Sequence, residues 1–184
     1  YKSPELIAGL LLFSIQIYAD FSGYSSIARG VSKLLGIELM KNFEQPYLSS
    51  NITEFWRRWH ISLSSWLKDY LYFSLGGNRK GRNRTYVNLM LTMLLGGLWH
   101  GASWNFVIWG GLHGIYLGVH KLILGKEKSN DRYQFDNVLG LIIYISKTIF
   151  TFLLVLITWL FFRATNFETI QIFFFRMVNW QPSE

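Results

Sequence analysis

Residues 86–120 contain no Lys, Arg, Asp or Glu, and are rich in Leu, Ile, Val, Met, Trp and Gly with two interior histidines, His100 and His113. A spanning helix needs about 20 apolar residues, so an uncharged run of this length places the chain in a bilayer. Residues 138–162 fit a single span. Residues 6–21 are slightly short for one and draw on their flanks. Residues 86–124 are too long for one span and must bend or reverse, with Gly96-Gly97 and Gly110-Gly111 as the expected places. Charged residues make up 16% of the chain, against roughly 25% in soluble domains. The expected fold is all-α, a polytopic transmembrane helical bundle with interfacial or re-entrant amphipathic helices.

Lys2, Pro4 and Glu5 precede the first apolar segment and no small-residue cleavage site follows it, so it does not read as a signal peptide. Residues 1–184 read as one incomplete membrane domain from a longer protein, the N-terminal helices lying outside it. The absence of cysteine excludes disulfides, thiolate nucleophiles and Cys-ligated metals for this piece. A net charge of +7 in such a chain reflects cytoplasmic loops facing anionic lipid, not nucleic-acid binding.

Asn51 with Glu54 three residues on reads as a helix start of the capping-box kind. Phe55, Trp59, Leu63, Trp66, Leu67 and Tyr70 then recur at three- and four-residue steps, with Arg57, Arg58 and Lys68 among them. This predicts an amphipathic helix lying in, or dipping from, the membrane interface. Gly76-Gly77 followed by Arg79, Lys80, Arg82 and Arg84 makes a strongly positive turn, cytoplasmic by the positive-inside rule. Residues 126–136 form a polar loop, and residues 167–180 an aromatic amphipathic tail. Counting from that turn, His100 lies about 14 residues into the next helix, roughly 20 Å into the bilayer. His60 stays on the cytoplasmic side.

An imidazole in hydrocarbon is expensive unless it faces protein or a cavity, which makes His100 a functional candidate, and it exchanges protons near neutral pH. The alternative is a buried histidine bonded to a backbone carbonyl. Gly97/Gly101 and Gly110/Gly114/Gly118 have the small-xxx-small spacing that lets helices approach closely. Asn105 contacts substrate only if the helix breaks near Gly101. Trp99, Trp104 and Trp109 either stack along a sugar or acyl path or simply pack. Arg57, Arg58 and the turn cations suit the phosphates of a coenzyme A donor and equally lipid headgroups. Asp20, in an apolar segment, is expected to pair with Arg57 or Arg58. His113 and His120 share a helix face, but two turns separate them and no third ligand has the right spacing, which argues against a metal site.

Four stretches occur in order: Tyr18-Ala19-Asp20-Phe21-Ser22-Gly23-Tyr24-Ser25, Phe55-Trp56-Arg57-Arg58-Trp59-His60-Ile61-Ser62, Leu75-Gly76-Gly77-Asn78-Arg79 and Gly97-Leu98-Trp99-His100-Gly101-Ala102. Together with Trp159-Leu160-Phe161-Phe162-Arg163 they resemble the membrane-bound O-acyltransferase (MBOAT) family, in its bacterial branch of alginate O-acetyltransferase-like proteins. The resemblance covers nearly the whole chain. It implies acyl transfer to a hydroxyl in the bacterial cytoplasmic membrane, from cytoplasmic acetyl-CoA to a polysaccharide reached from outside, often through an extracytoplasmic acetyltransferase partner protein. It also implies that His100 is the catalytic histidine and His60 a second one.

Direct transfer with His100 as general base is the simplest scheme, since no Gly-x-Ser-x-Gly elbow is present. His60 either orients the thioester or relays the proton, or else anchors its helix. Expected substrate contacts are Asn105, Trp99, Trp104, Arg57 and Arg58. The rivals are D-alanyl transfer to teichoic acid by the same fold, and a non-enzymatic transporter or export component.

Overall fold

The computed structural model describes residues 2–124 and 137–182. The polar loop expected at 126–136 lies outside the described residues. Among the described residues seven α-helices follow one another: α1 Ser3–Leu34, α2 Ile52–Arg58, α3 Ile61–Trp66, α4 Arg82–His100, α5 Trp104–Leu124, α6 Val138–Arg163 and α7 Phe167–Val178. A 3-10 turn spans Pro46–Leu48, a π-helical turn spans Leu67–Tyr72, and no strand occurs among the described residues. Among the described residues three helices are long and apolar enough to cross a membrane: Ser3–Leu34, Trp104–Ile123 and Val138–Arg163.

The first span is far longer than residues 6–21. α1 runs unbroken through the Tyr18–Ser25 motif for 32 residues, about 48 Å of helix. It stops where Gly36 adopts φ +75°. There Gly36 N–H donates to the Lys33 carbonyl at 3.1 Å and Ile37 N–H to Ser32 at 2.9 Å, a glycine C-cap that satisfies the last carbonyls.

The long run 86–124 reverses at residues 101–103 and not at either glycine pair. Those glycines instead form the contact between the two arms. A Cβ on Gly97 would lie 2.2 Å from the Phe106 carbonyl oxygen, and one on Gly110 would lie 2.3 Å from that of Met93. Only hydrogen side chains allow the α4 and α5 backbones to meet this closely. Gly101 is extended (φ 161°), and a Cβ there would strike the Phe106 ring at 2.7 Å.

The amphipathic helix expected from Asn51 onward is broken and partly internal. Asn51 does cap α2, its Oδ1 accepting from Glu54 N–H at 2.8 Å, and the Glu54 carboxylate accepts from Ser50 N–H. The helix then ends at Trp59-His60, and α3 starts in a new direction. α2 lies in the core: Phe55 and Trp59 are buried with Trp109 of α5 and Val155 and Trp159 of α6. Four large aromatic rings, Phe55, Trp59, Trp109 and Trp159, fill this centre, with Tyr18, Phe43 and Tyr47 packed at its edge. Tyr47 O–H donates to the Ser14 carbonyl at 2.6 Å, and burial pushes this phenol well above its ordinary pKa. The tail is α7, whose Ile170 is buried, and its end is joined to the start of α1 through Ser3 Oγ–H to the Arg176 carbonyl at 2.8 Å.

Candidate functional site

His60 sits where α2 stops. It takes a left-handed backbone (φ 44°, ψ 56°), a conformation costing about 1–3 kcal/mol for a non-glycine residue unless its surroundings enforce it. Asn42 enforces it from the side: Ile61 N–H donates to the Asn42 carbonyl at 3.0 Å, and Ser62 donates to Asn42 Oδ1 through N–H at 3.1 Å and Oγ–H at 2.6 Å. The imidazole caps α3, with Nδ1 accepting from Leu63 N–H at 3.2 Å. An accepting Nδ1 carries no proton, so neutral His60 holds its proton on Nε2 and offers a donor there. Burial pushes its pKa below the ordinary value, opposed by a backbone hydrogen bond, which keeps this neutral form at neutral pH.

His100 is the last residue of α4. Its half-buried ring is held by aromatic edges: Trp109 at 5.2 Å, Phe162 at 5.2 Å and Trp99 at 5.2 Å between centroids. Among the described residues neither ring nitrogen makes a protein hydrogen bond, so both remain open to a substrate.

The two histidines line one narrow cavity of about 50 Å³, together with Ile17 and Phe21 of α1, Trp56 and Trp59 of α2, Leu63, Trp109, Trp159 and Phe162. The sequence left open whether His60 and His100 meet, and here they line the same cavity. The π-helical turn and the basic turn carry the chain away from His60, and α4 returns it beside His100. Ile17, Phe21 and Phe162 also line an adjoining open cleft of about 410 Å³, with Phe13, Gln16 and Asp20. The inner cavity admits a hydroxyl group or a few waters, and the cleft admits something larger.

The other predicted contacts lie outside the cavity. Asn105 is buried at the start of α5, and its Nδ2–H donates to the Ala164 carbonyl at 2.7 Å. The chain does break beside Gly101, but this amide ties α5 to the end of α6. Trp99 touches His100 while remaining 66% exposed, and Trp104 is 79% exposed. Arg57 is exposed on α2. Arg58 pairs with Glu54 at 2.6 Å, four residues back on its own helix. The expected pairing of Asp20 with either arginine is therefore corrected: the nearer carboxylate holds Arg58, and Asp20 lines the cleft. The basic turn lines neither cavity; Asn88 Nδ2–H fixes it through the Gly77 carbonyl at 2.8 Å. His113 and His120 do share a face, toward α2, where they meet Trp56 and Thr53.

Trp56, Trp59, Trp159 and Phe162 were missed as cavity walls. The only trace they leave in the sequence is adjacency to the histidine motif or to the end of an apolar run, which equally fits packing.

The MBOAT, membrane-bound O-acyltransferase family model matches residues 5–164. The chain is 50% identical over 179 residues to a probable alginate O-acetylase of Pseudomonas putida, covering 96% of this chain and 35% of that protein. It is 46% identical to a peptidoglycan O-acetyltransferase of Helicobacter pylori (86% of this chain, 29% of that one). It is 37% identical to a teichoic acid D-alanyltransferase of Streptococcus thermophilus (65% and 31%). The chain thus spans about a third of the length of these relatives.

Proposed function

This chain belongs to the membrane-bound O-acyltransferase family, and from that premise we propose that it carries the two-histidine centre of a bacterial cytoplasmic-membrane O-acetyltransferase acting on a polysaccharide. The observation that carries this reading is that His60 and His100 line one cavity. Acetyl-CoA is the proposed donor and is a substrate, not a resident cofactor.

On this reading the acceptor hydroxyl gives its proton to an open nitrogen of His100 as its oxygen attacks the thioester carbonyl. His60 Nε2–H donates to the oxyanion that forms, a role its tautomer suits and general-base work does not. The C–S bond then breaks, the ester is released, and protonated His100 returns the proton to the departing thiolate. No covalent acyl-enzyme is required. The aromatic walls exclude bulk water, which disfavours hydrolysis of the thioester. Arg57, exposed on the helix that carries Trp56, is the proposed contact for the donor's phosphates. Trp99 and Trp104 offer stacking faces to a sugar acceptor. An extracytoplasmic acetyltransferase partner is proposed to take the acetyl group onward.

The acetyl reading is favoured over D-alanyl transfer because the O-acetylating relatives match at higher identity over more of the chain. The test is acetyl ester on the host exopolysaccharide, with full-length wild type against His100→Ala at equal membrane abundance. Loss of ester supports the proposal. Unchanged ester removes His100 from the chemistry and advances a transport or scaffold role. Loading by a carrier protein instead of coenzyme A would move the assignment to the D-alanyl branch.

A further inference from the structure

His113, midway along α5, is fully buried and takes no part in the scheme above. Its Nδ1 accepts from the indole N–H of Trp56 at 3.2 Å. Indole is only a donor, so Nδ1 is unprotonated and the proton sits on Nε2. That Nε2 is buried with no hydrogen-bond partner among the described residues, an unfavourable state for a polar group. A phenyl ring would fill the space without that penalty. What the imidazole adds over a phenyl ring is its accepting Nδ1.

The Nδ1 acts on the cavity wall. Trp56 and Trp109 both line the histidine cavity. The His113 ring meets Trp56 edge-on at 5.0 Å and Trp109 edge-on at 4.9 Å, and lies parallel to Phe55 at 6.2 Å. Trp109 in turn meets the His100 ring at 5.2 Å. A hydrogen bond at its nitrogen opposes rotation of the indole about its side-chain bonds, so this contact from α5 favours one position of the α2 wall.

We infer that His113 is a positioning residue: through Nδ1 it locks the Trp56 indole as a wall of the cavity shared by His60 and His100. The inference rests on the reading of that cavity as the acyl-transfer site.

The experiment uses the full-length protein in lipid nanodiscs with acetyl-CoA and a polysaccharide acceptor. His113→Phe keeps the ring and removes the acceptor, and is expected to lower kcat about tenfold, the loss of one hydrogen bond, with KM for acetyl-CoA unchanged. His113→Asn places Oδ1 where Nδ1 stood and is expected to restore most of the loss. Trp56→Phe is expected to match His113→Phe, and the double variant to lose no more than either single one. The indole resonance of Trp56 in 15N-tryptophan-labelled protein is expected to move in His113→Phe and stay in His113→Asn.

Wild-type turnover in His113→Phe overturns the inference, as do losses that add in the double variant, or an indole resonance that ignores the substitution. Should His113→Phe fail to accumulate, wild-type turnover in Trp56→Phe overturns it alone, and a matching tenfold loss supports it. If the wild type transfers no acetyl group, the proposed function fails, and the indole resonance still decides whether the lock exists.

Discussion

Replacing Gly110 by alanine puts a methyl carbon 2.3 Å from the Met93 carbonyl oxygen, with the Leu94 Cα 3.3 Å away. Both obstacles are backbone, so no side chain can rotate aside. Restoring ordinary contact requires α4 and α5 to part by roughly 1 Å, and a gap of that size forfeits about a quarter to a half of each dispersion contact along the crossing. Overpacking of this kind costs about 1–3 kcal/mol. Gly118→Ala is the internal control: its methyl would sit 3.8 Å from the Tyr86 ring, and alanine gains up to about 1 kcal/mol in helix propensity. The pair should therefore differ by about 2–4 kcal/mol, a gap in Tm of roughly 2–4 °C for a full-length protein about three times as long as this chain. Thermal unfolding of the full-length protein in detergent, followed by tryptophan fluorescence, measures it. Since Trp109 adjoins Gly110 and meets His100 at 5.2 Å, acetyl transfer should fall with stability in Gly110→Ala and not in Gly118→Ala. A Gly110→Ala protein melting with or above Gly118→Ala would refute the close-approach argument.

His60→Ala should lower kcat about a hundredfold if Nε2–H stabilises the oxyanion, and should also remove an α3 cap at about 1 kcal/mol, read by a turnover assay beside a melting curve. Because burial lowers the folded-state pKa of His60, the unfolded chain binds its proton first. Stability is then full above the unfolded value of about 6.5 and declines as pH falls from there toward the folded pKa. His60→Asn should flatten that decline in pH-dependent melting. Asn105→Leu, which removes the hydrogen bond from Asn105 to the half-buried Ala164 carbonyl, should cost about 1 kcal/mol while KM for the acceptor holds; a raised KM with unchanged Tm would return Asn105 to substrate contact.

What the sequence determined by itself is what depends on neighbours in the chain. Apolar content marks α5 and α6 as spans, and the Asn51 cap and the basic glycine turn stand where their residue types put them. His100 as a candidate and the closeness of the Gly97 and Gly110 crossing were legible for the same reason: hydropathy and small-residue spacing act over one or two turns. The end of α1 at Gly36, the reversal at Gly101 and the break at His60 were not, because each depends on what the backbone meets. Gly101 faces the Phe106 ring, and the left-handed His60 is supported by Asn42, eighteen positions away in the chain.

Tertiary structure alone decided the candidate site. His60 and His100 share a cavity because α2 is drawn into an aromatic core between α1, α5 and α6. Asn105 and His113 take their partners from whatever that packing brings near. Periodicity tells which face of a helix is apolar. It carries no information about which other helix that face will meet, since dispersion and burial are nearly indifferent to the identity of an apolar partner, and the hydrogen bonds that discriminate form only once the helices have crossed.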